Sequence, residues 1–327
     1  MELLRKLTTT FGPSGCEDKI AEVIIEEIKD YVDEVRKDRL GNVIALKKGN
    51  GKGRIMMAAH MDQIGVMITE VEKEGFLRFV PVGGVSPHII LGHNVEFANG
   101  TVGVIFKEGK KEMKDLKLGD MYIDIGASSK EAAEKKVRIG DFGIFKSNFI
   151  VDGDRVTTGA LDNRVSCYAF IEAAKRMKKA EYDSYFVFTV QEETYTSGAA
   201  TSAYAIEPDC SIVVDVTSTG DTPNCHRMAV KLEDGAAIKV MDRGMVCHPM
   251  MKRYLEDTAK KYNIKHQFEV LEFGSTDGAE IHVSKAGVPT GAISIPTRYI
   301  HTPVETVDMK DVEDSIELLV KAIEDYK

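Results

Sequence analysis

The chain has 327 residues, 43% of them hydrophobic and 29% charged, and a formal net charge of −9. That composition suits a globular protein with a large core, and the length suggests about two domains at roughly 150 residues each. The acidic balance argues against nucleic acid, whose phosphates need a basic face, and no apolar run approaches the roughly 18 residues of a membrane span.

The opening segment, MELLRKLTTTFGPSG, lacks the apolar stretch and cleavage pattern of a secretory signal, so a cytoplasmic protein is expected. Residues 17–31 place Ile20, Ala21, Val23, Ile24, Ile25 and Ile28 mostly on one helical stripe. Strand-like runs follow at 42–48 and 54–60. The second is continuously apolar, as expected of a strand buried on both faces, and ends in His60.

From residue 64 to about 155 the pattern changes to short alternating runs broken by Gly, Asn and Pro. This predicts a small inserted β-barrel or β-sandwich, interrupted by a short helix over 128–136. The α/β pattern then returns. Helices are predicted over 164–179, 196–206, 249–262, 276–287 and 307–326, and buried strands over 184–191, 210–216 and 289–295. Alternating strands and helices imply a sheet covered on both faces. The expected domains are therefore 1–63 with 156–327, and the insert 64–155.

Five places carry polar side chains where buried strands or their connections end. His60 and Asp62 form an H-x-D pair after the 54–60 strand; a carboxylate so placed can fix the tautomer of a ligating histidine. Asp162 precedes the 164–179 helix, where it could serve as an ordinary cap. Glu192 and Glu193 stand side by side after an apolar run, a costly arrangement for buried carboxylates unless a cation compensates. On an extended chain the two would point to opposite sides. Asp215 ends another buried strand, and His301 lies in a Pro-bounded loop. Two His and three carboxylates make a mixed N/O ligand set suited to zinc, cobalt or manganese. With one carboxylate bridging, five ligands suffice for a pair of metals. The five cysteines are scattered, without a C-x-x-C pair, so no thiolate site is suggested.

At these residues the chain resembles the tetrahedral (TET-type) co-catalytic metalloaminopeptidases, a family whose members often carry endoglucanase-like or glutamyl aminopeptidase labels. The resemblance runs through LTTTFGPSGCE, AAHMDQIGVMI, GGVSPHIILGH, GALDNR, VQEE, VDVTSTGDTP and AGVPTGAISIPTRYIHTPVE. It implies a three-layer α/β/α zinc-peptidase (phosphorylase/hydrolase-like) domain with an inserted PDZ-like β-barrel. It implies two divalent metals, with Asp162 bridging, His60 and Asp215 on one, and Glu193 and His301 on the other. Glu192 would be the general base and Asp62 the residue that orients His60. It further implies peptide substrates and dimers assembling to a dodecamer.

The chain departs from the family pattern at Asn163, where many relatives have a second Asp, and at Thr194, Tyr195 and Ser197 after QEE. Two other functions fit the carboxylate pair less well: an endoglucanase-type glycoside hydrolase and a non-catalytic peptide-binding assembly. Glycosidase carboxyl groups must face each other across a sugar, and the chain has no Trp to serve as a sugar platform.

Overall fold

The computed structural model describes residues 1–178 and 180–327. After helices α1 (Glu2–Thr9) and α2 (Asp18–Ile28), the chain lays down β1 (Glu34–Lys37), β2 (Val43–Lys47) and β3 (Arg54–His60). The apolar run of β3 serves two cores at once. Ile55, Met57 and Ala59 face one side of the sheet, while Met56 and Ala58 face the other. The period-two alternation of a strand requires both sides to be apolar in such a position.

The next segment closes on itself. Strands β4 (Gly65–Val71), β5 (Leu77–Val82), β6 (Asn94–Phe97), β7 (Val102–Lys107), β8 (Met121–Asp124) and β9 (Phe142–Phe145) form a barrel, with the short helices α3 (Pro87–Ile90) and α4 (Lys130–Glu134) between them. It has its own core, including Val66, Ile68, Leu77, Val95, Ile105 and Ile123. Helix α4 starts where Ser129 Oγ accepts the Ala132 N–H, and it is shorter than the expected 128–136.

The chain then returns through β10 (Ile150–Asp152), β11 (Arg155–Thr158), α5 (Leu161–Arg176), β12 (Asp183–Thr189), α6 (Glu192–Tyr195), α7 (Ser197–Ile206) and β13 (Cys210–Thr217). It continues through β14 (Ala236–Met241), α8 (Pro249–Tyr262), β15 (His266–Val270), α9 (Gly278–Ile281), β16 (Thr290–Arg298), β17 (Glu305–Asp308) and α10 (Met309–Asp325). The eleven-stranded sheet runs β1-β2-β12-β3-β13-β16-β17-β11-β10, with β14 on β16 and β15 on β14. Thus β10, although within residues 64–155, pairs into this sheet.

Strands β12, β3, β13 and β16 are mutually parallel. Their carboxyl ends therefore share one edge, where an open α/β sheet gathers its chemistry. His60 stands opposite Thr189, and Asp215 opposite Ser294. Residues of α1, α2, α5, α8 and α10 fill the core on one face of the sheet; α7 and α9 cover the other. The molecule is an α/β/α sandwich with a β-barrel inserted, as the fold expectation held.

Three local expectations need correction. The 276–287 helix is a single turn, α9, ending at Ile281; Lys285 and Gly287 beyond it take left-handed φ values of 52° and 99°. Glu192 and Glu193 are not on extended chain: Gln191 turns the backbone with φ 58°, and both belong to α6. The 164–179 helix begins earlier, at Leu161, with non-helical backbone at Asp162 and Asn163 across a cis peptide.

Candidate metal centre

The seven residues singled out by the sequence meet at the shared carboxyl edge. His60 comes from the end of β3, Asp162 from the start of α5, Asp215 from β13, and Glu192 and Glu193 from α6. His301 lies between β16 and β17, with a left-handed φ of 62°. His60 Nε2 stands 3.0 Å from Asp162 Oδ1 and 3.7 Å from Asp215 Oδ1. His301 Nε2 stands 3.3 Å from Asp162 Oδ2 and 3.1 Å from Glu193 Oε2. Asp162 therefore presents one oxygen to each histidine. Two overlapping groups result, His60–Asp162–Asp215 and Asp162–Glu193–His301, each with donor atoms within 4.8 Å of one another.

The electrostatics of this cluster are unbalanced. Burial raises the Glu192 carboxyl well above its ordinary range against the opposing pull of His60, and Asp215, Asp277 and Glu193 push it further. Burial likewise raises Asp215 and Glu193. Asp162 goes the other way: burial resists, but His301 and His60 hold it below the usual carboxylate range. Both imidazoles are pulled up by the surrounding carboxylates in spite of burial. Four carboxyl groups, Asp162, Glu192, Glu193 and Asp215, thus crowd two histidines in a desolvated pocket. Buried charge of one sign demands compensation, and divalent cations held by this N/O donor set would supply it.

A second circle of residues holds the first in place. The Asp62 carboxylate accepts the backbone N–H of Glu192 at Oδ1 and of Glu193 at Oδ2, both at 3.1 Å. Its Oδ1 is 3.5 Å from His60 Nδ1, which lies closer, at 3.2 Å, to the Asp62 carbonyl oxygen. Asp62 so anchors the α6 turn more directly than it holds the His60 ring. Asn163 Nδ2 donates to the Val214 carbonyl and is turned toward the sheet. Thr194 meets Ser14 at 3.1 Å, while Tyr195 is largely exposed.

The sequence reading missed Glu305. This buried carboxyl accepts the Asp162 N–H at 3.0 Å and the His301 N–H at 2.8 Å, tying the backbones of two candidate ligands together. Its position four residues after His301, within HTPVE, was the available signal. Asp277 is buried behind the site and accepts the Thr189 hydroxyl at 2.5 Å. The barrel's contribution was also unread: Gly83 and Gly84 press against Glu193 and His301. The centre opens into a cavity of about 410 Å³, within the size range of ligand sites.

Known proteins match this chain along almost its whole length. The family description M42 glutamyl aminopeptidase matches residues 41–318. A provisionally named aminopeptidase of Acetivibrio thermocellus is 53% identical over 323 residues, covering 98% of each chain. Among solved structures, an aminopeptidase from the archaeon Desulfurococcus kamchatkensis superposes with a TM-score of 0.96 at 39% identity, covering 99% of this chain and 94% of that one. The Pyrococcus horikoshii TET1 peptidase, which can assemble into a tetrahedron or a large octahedral shell, gives 0.90 at 35% identity over 99% of each chain. A match of this extent and fold identifies the chain as a member of the M42 glutamyl aminopeptidase family, an exopeptidase-type hydrolase acting on peptide N-termini.

Proposed function

We propose that the hydrolysis uses two divalent cations, with His60, Asp162 and Asp215 holding one and Asp162, Glu193 and His301 holding the other. The observation that carries this reading is Asp162, whose two oxygens face two different histidines. The N/O donor set fits zinc first, and cobalt or manganese also. When bound, the cations supply Lewis-acid polarisation of the scissile carbonyl and a more acidic attacking water.

The chain's own residues carry the protons. Glu192, 12% exposed and with Oε2 3.7 Å from His60 Nε2, faces the cavity. It accepts the proton of the attacking water and returns it to the departing amine, as a general base and then acid. Its raised basicity, from burial and from neighbouring Asp215, Asp277 and Glu193, suits a group that must hold a proton between two steps. Asp62 fixes the α6 turn, so Glu192 and Glu193 keep their separate roles. Glu305 keeps Asp162 and His301 in register.

We assign catalysis to residues 1–63 with 156–327, and the 64–155 insert to shaping the site and contacting other subunits. The shells formed by the TET1 relative, and a TET1 structure described as a dodecamer, support a homo-oligomer of twelve subunits. Among the described residues no helix is long and apolar enough to cross a membrane. All five cysteines are free thiols, which suits a reducing cytoplasm. Neither rival function gains support: Glu192 and Glu193 converge on one cluster rather than facing each other across a sugar-sized gap.

The test is release of free amino acids from peptides. Chelation should abolish it, and zinc, cobalt or manganese should restore it. Release of sugars from cellulose, or peptide binding without hydrolysis in metal-replete protein, would contradict the reading.

A further inference from the structure

We infer that the site prefers peptides whose first residue has a neutral, mainly aliphatic side chain of leucine or methionine type, over glutamate or lysine. This rests on the proposed function, and it takes the cavity beside the metal centre as the space that receives that side chain. Away from the centre, its wall is Val216, Leu271, Phe273 and Ile300, with the hydroxyls of Thr217 and Ser218 between them. The charged lining residues, among those described, are the candidate ligands and Glu192. An N-terminal side chain that fills this space gains by burial against apolar wall.

Two cations close to the lining, Arg298 and Lys239, are already engaged. Arg298, in the adjoining depression, donates to both oxygens of Asp221, at 3.0 and 2.7 Å. Lys239 is fully buried and held by Glu269 at 2.6 Å and Asp242 at 3.3 Å. A glutamate side chain would therefore lose water against a wall that supplies no lysine or arginine of its own. That is the costly case for a buried charge. A lysine fares little better. Glu269 is spent on Lys239 and on the Thr217 hydroxyl at 2.8 Å. Glu272, near the rim beside His226, is largely exposed, where its attraction is screened.

Phe273 decides the boundary. With Ser218 and Ile300 it lines both this cavity and the neighbouring one of about 260 Å³ that holds His226 and Arg298. Its ring meets His226 edge-on at 5.2 Å. At 42% exposure it can be replaced without opening the core.

The experiment measures kcat/KM for aminoacyl chromogenic substrates of Leu, Met, Ala, Glu and Lys with metal-replete protein. Leu or Met should exceed Glu and Lys by at least about tenfold, and Ala should fall below Leu by roughly the same factor. Phe273→Arg, which adds a cation to the wall, should raise the Glu-to-Leu ratio about tenfold or more. Equal or faster cleavage after Glu or Lys in the wild type would overturn the inference while leaving the aminopeptidase reading intact. An unchanged ratio in Phe273→Arg would overturn the assignment of this cavity. No release from any substrate would overturn the aminopeptidase reading and this inference with it.

Discussion

A β-carbon placed on Gly84 would stand 2.5 Å from Nδ1 of His301. Gly84 belongs to the barrel, and His301 to the loop that carries a candidate ligand. The barrel thus touches the metal centre at a point where any side chain would displace the imidazole.

From that contact, Gly84→Ala should push His301 away from Asp162 and Glu193 and weaken one cation site. A loss of about tenfold or more in affinity for one of two metals is expected, the scale typical of disturbing a ligand's support. Competition with a chromophoric chelator would measure it. Two unaltered affinities would mean that the barrel contact does not position His301.

Glu192→Gln keeps the shape of the side chain and removes its ability to take a proton. Turnover should fall by roughly 10²–10⁴. Metal content should stay at the wild-type value, because Glu192 is outside both ligand groups. Single-turnover assays paired with metal analysis separate the two effects. Near-normal turnover would end the base assignment.

Glu17 supplies a pH prediction. Burial raises its pKa from 4.5 to about 7, while the N–H groups of Gly15 and Gln191 pull the other way and Asp62 adds to the rise. The folded state therefore prefers the protonated form. Stability from this group is complete below pH 4.5 and is lost as pH rises through 7. At about 1.36 kcal/mol per pKa unit, the loss is on the order of 3 kcal/mol. Glu17→Gln should accordingly gain on the wild type between pH 5 and pH 8 in thermal unfolding. A constant difference across that range would show that Glu17 does not titrate as described.

The buried Lys239–Glu269–Asp242 group predicts a sharp asymmetry. All three side chains are fully shielded from solvent. Lys239→Met leaves two carboxylates without their cation and should cost about 3–5 kcal/mol. Adding Glu269→Gln should recover part of that loss, since one stranded charge becomes neutral. Urea unfolding followed by circular dichroism would check both variants. Equal destabilisation of single and double variants would place the cost elsewhere.

Much of this architecture was readable beforehand. Arg54–His60 and Pro249–Tyr262 fall where the apolar pattern placed them, because an uninterrupted apolar run or a clean helical stripe has few other uses. The ligand candidates were readable as a set rather than singly, since Asp162 alone could be an ordinary helix cap and His301 alone an ordinary loop histidine. What stayed hidden was tertiary. The α6 turn depends on Asp62, distant in sequence, capturing two backbone amides. The expected 276–287 helix stops after one turn at Ile281, and the left-handed backbone of Lys285 within that range is not forecast by propensity. Glu305 looked like an ordinary acidic residue until the fold brought Asp162 and His301 to it. Strands β1, β14 and β15 went unread because they are short, at four to six residues, and mixed in polarity or weakly β-branched.

The most direct measurement is elemental analysis of divalent metal bound per chain, in the wild type and in His301→Ala. The wild type should carry two ions and His301→Ala one, retained around His60, Asp162 and Asp215. A wild type that saturates at a single ion, or a His301→Ala chain that still holds two, would contradict a pair of cations built around one shared aspartate.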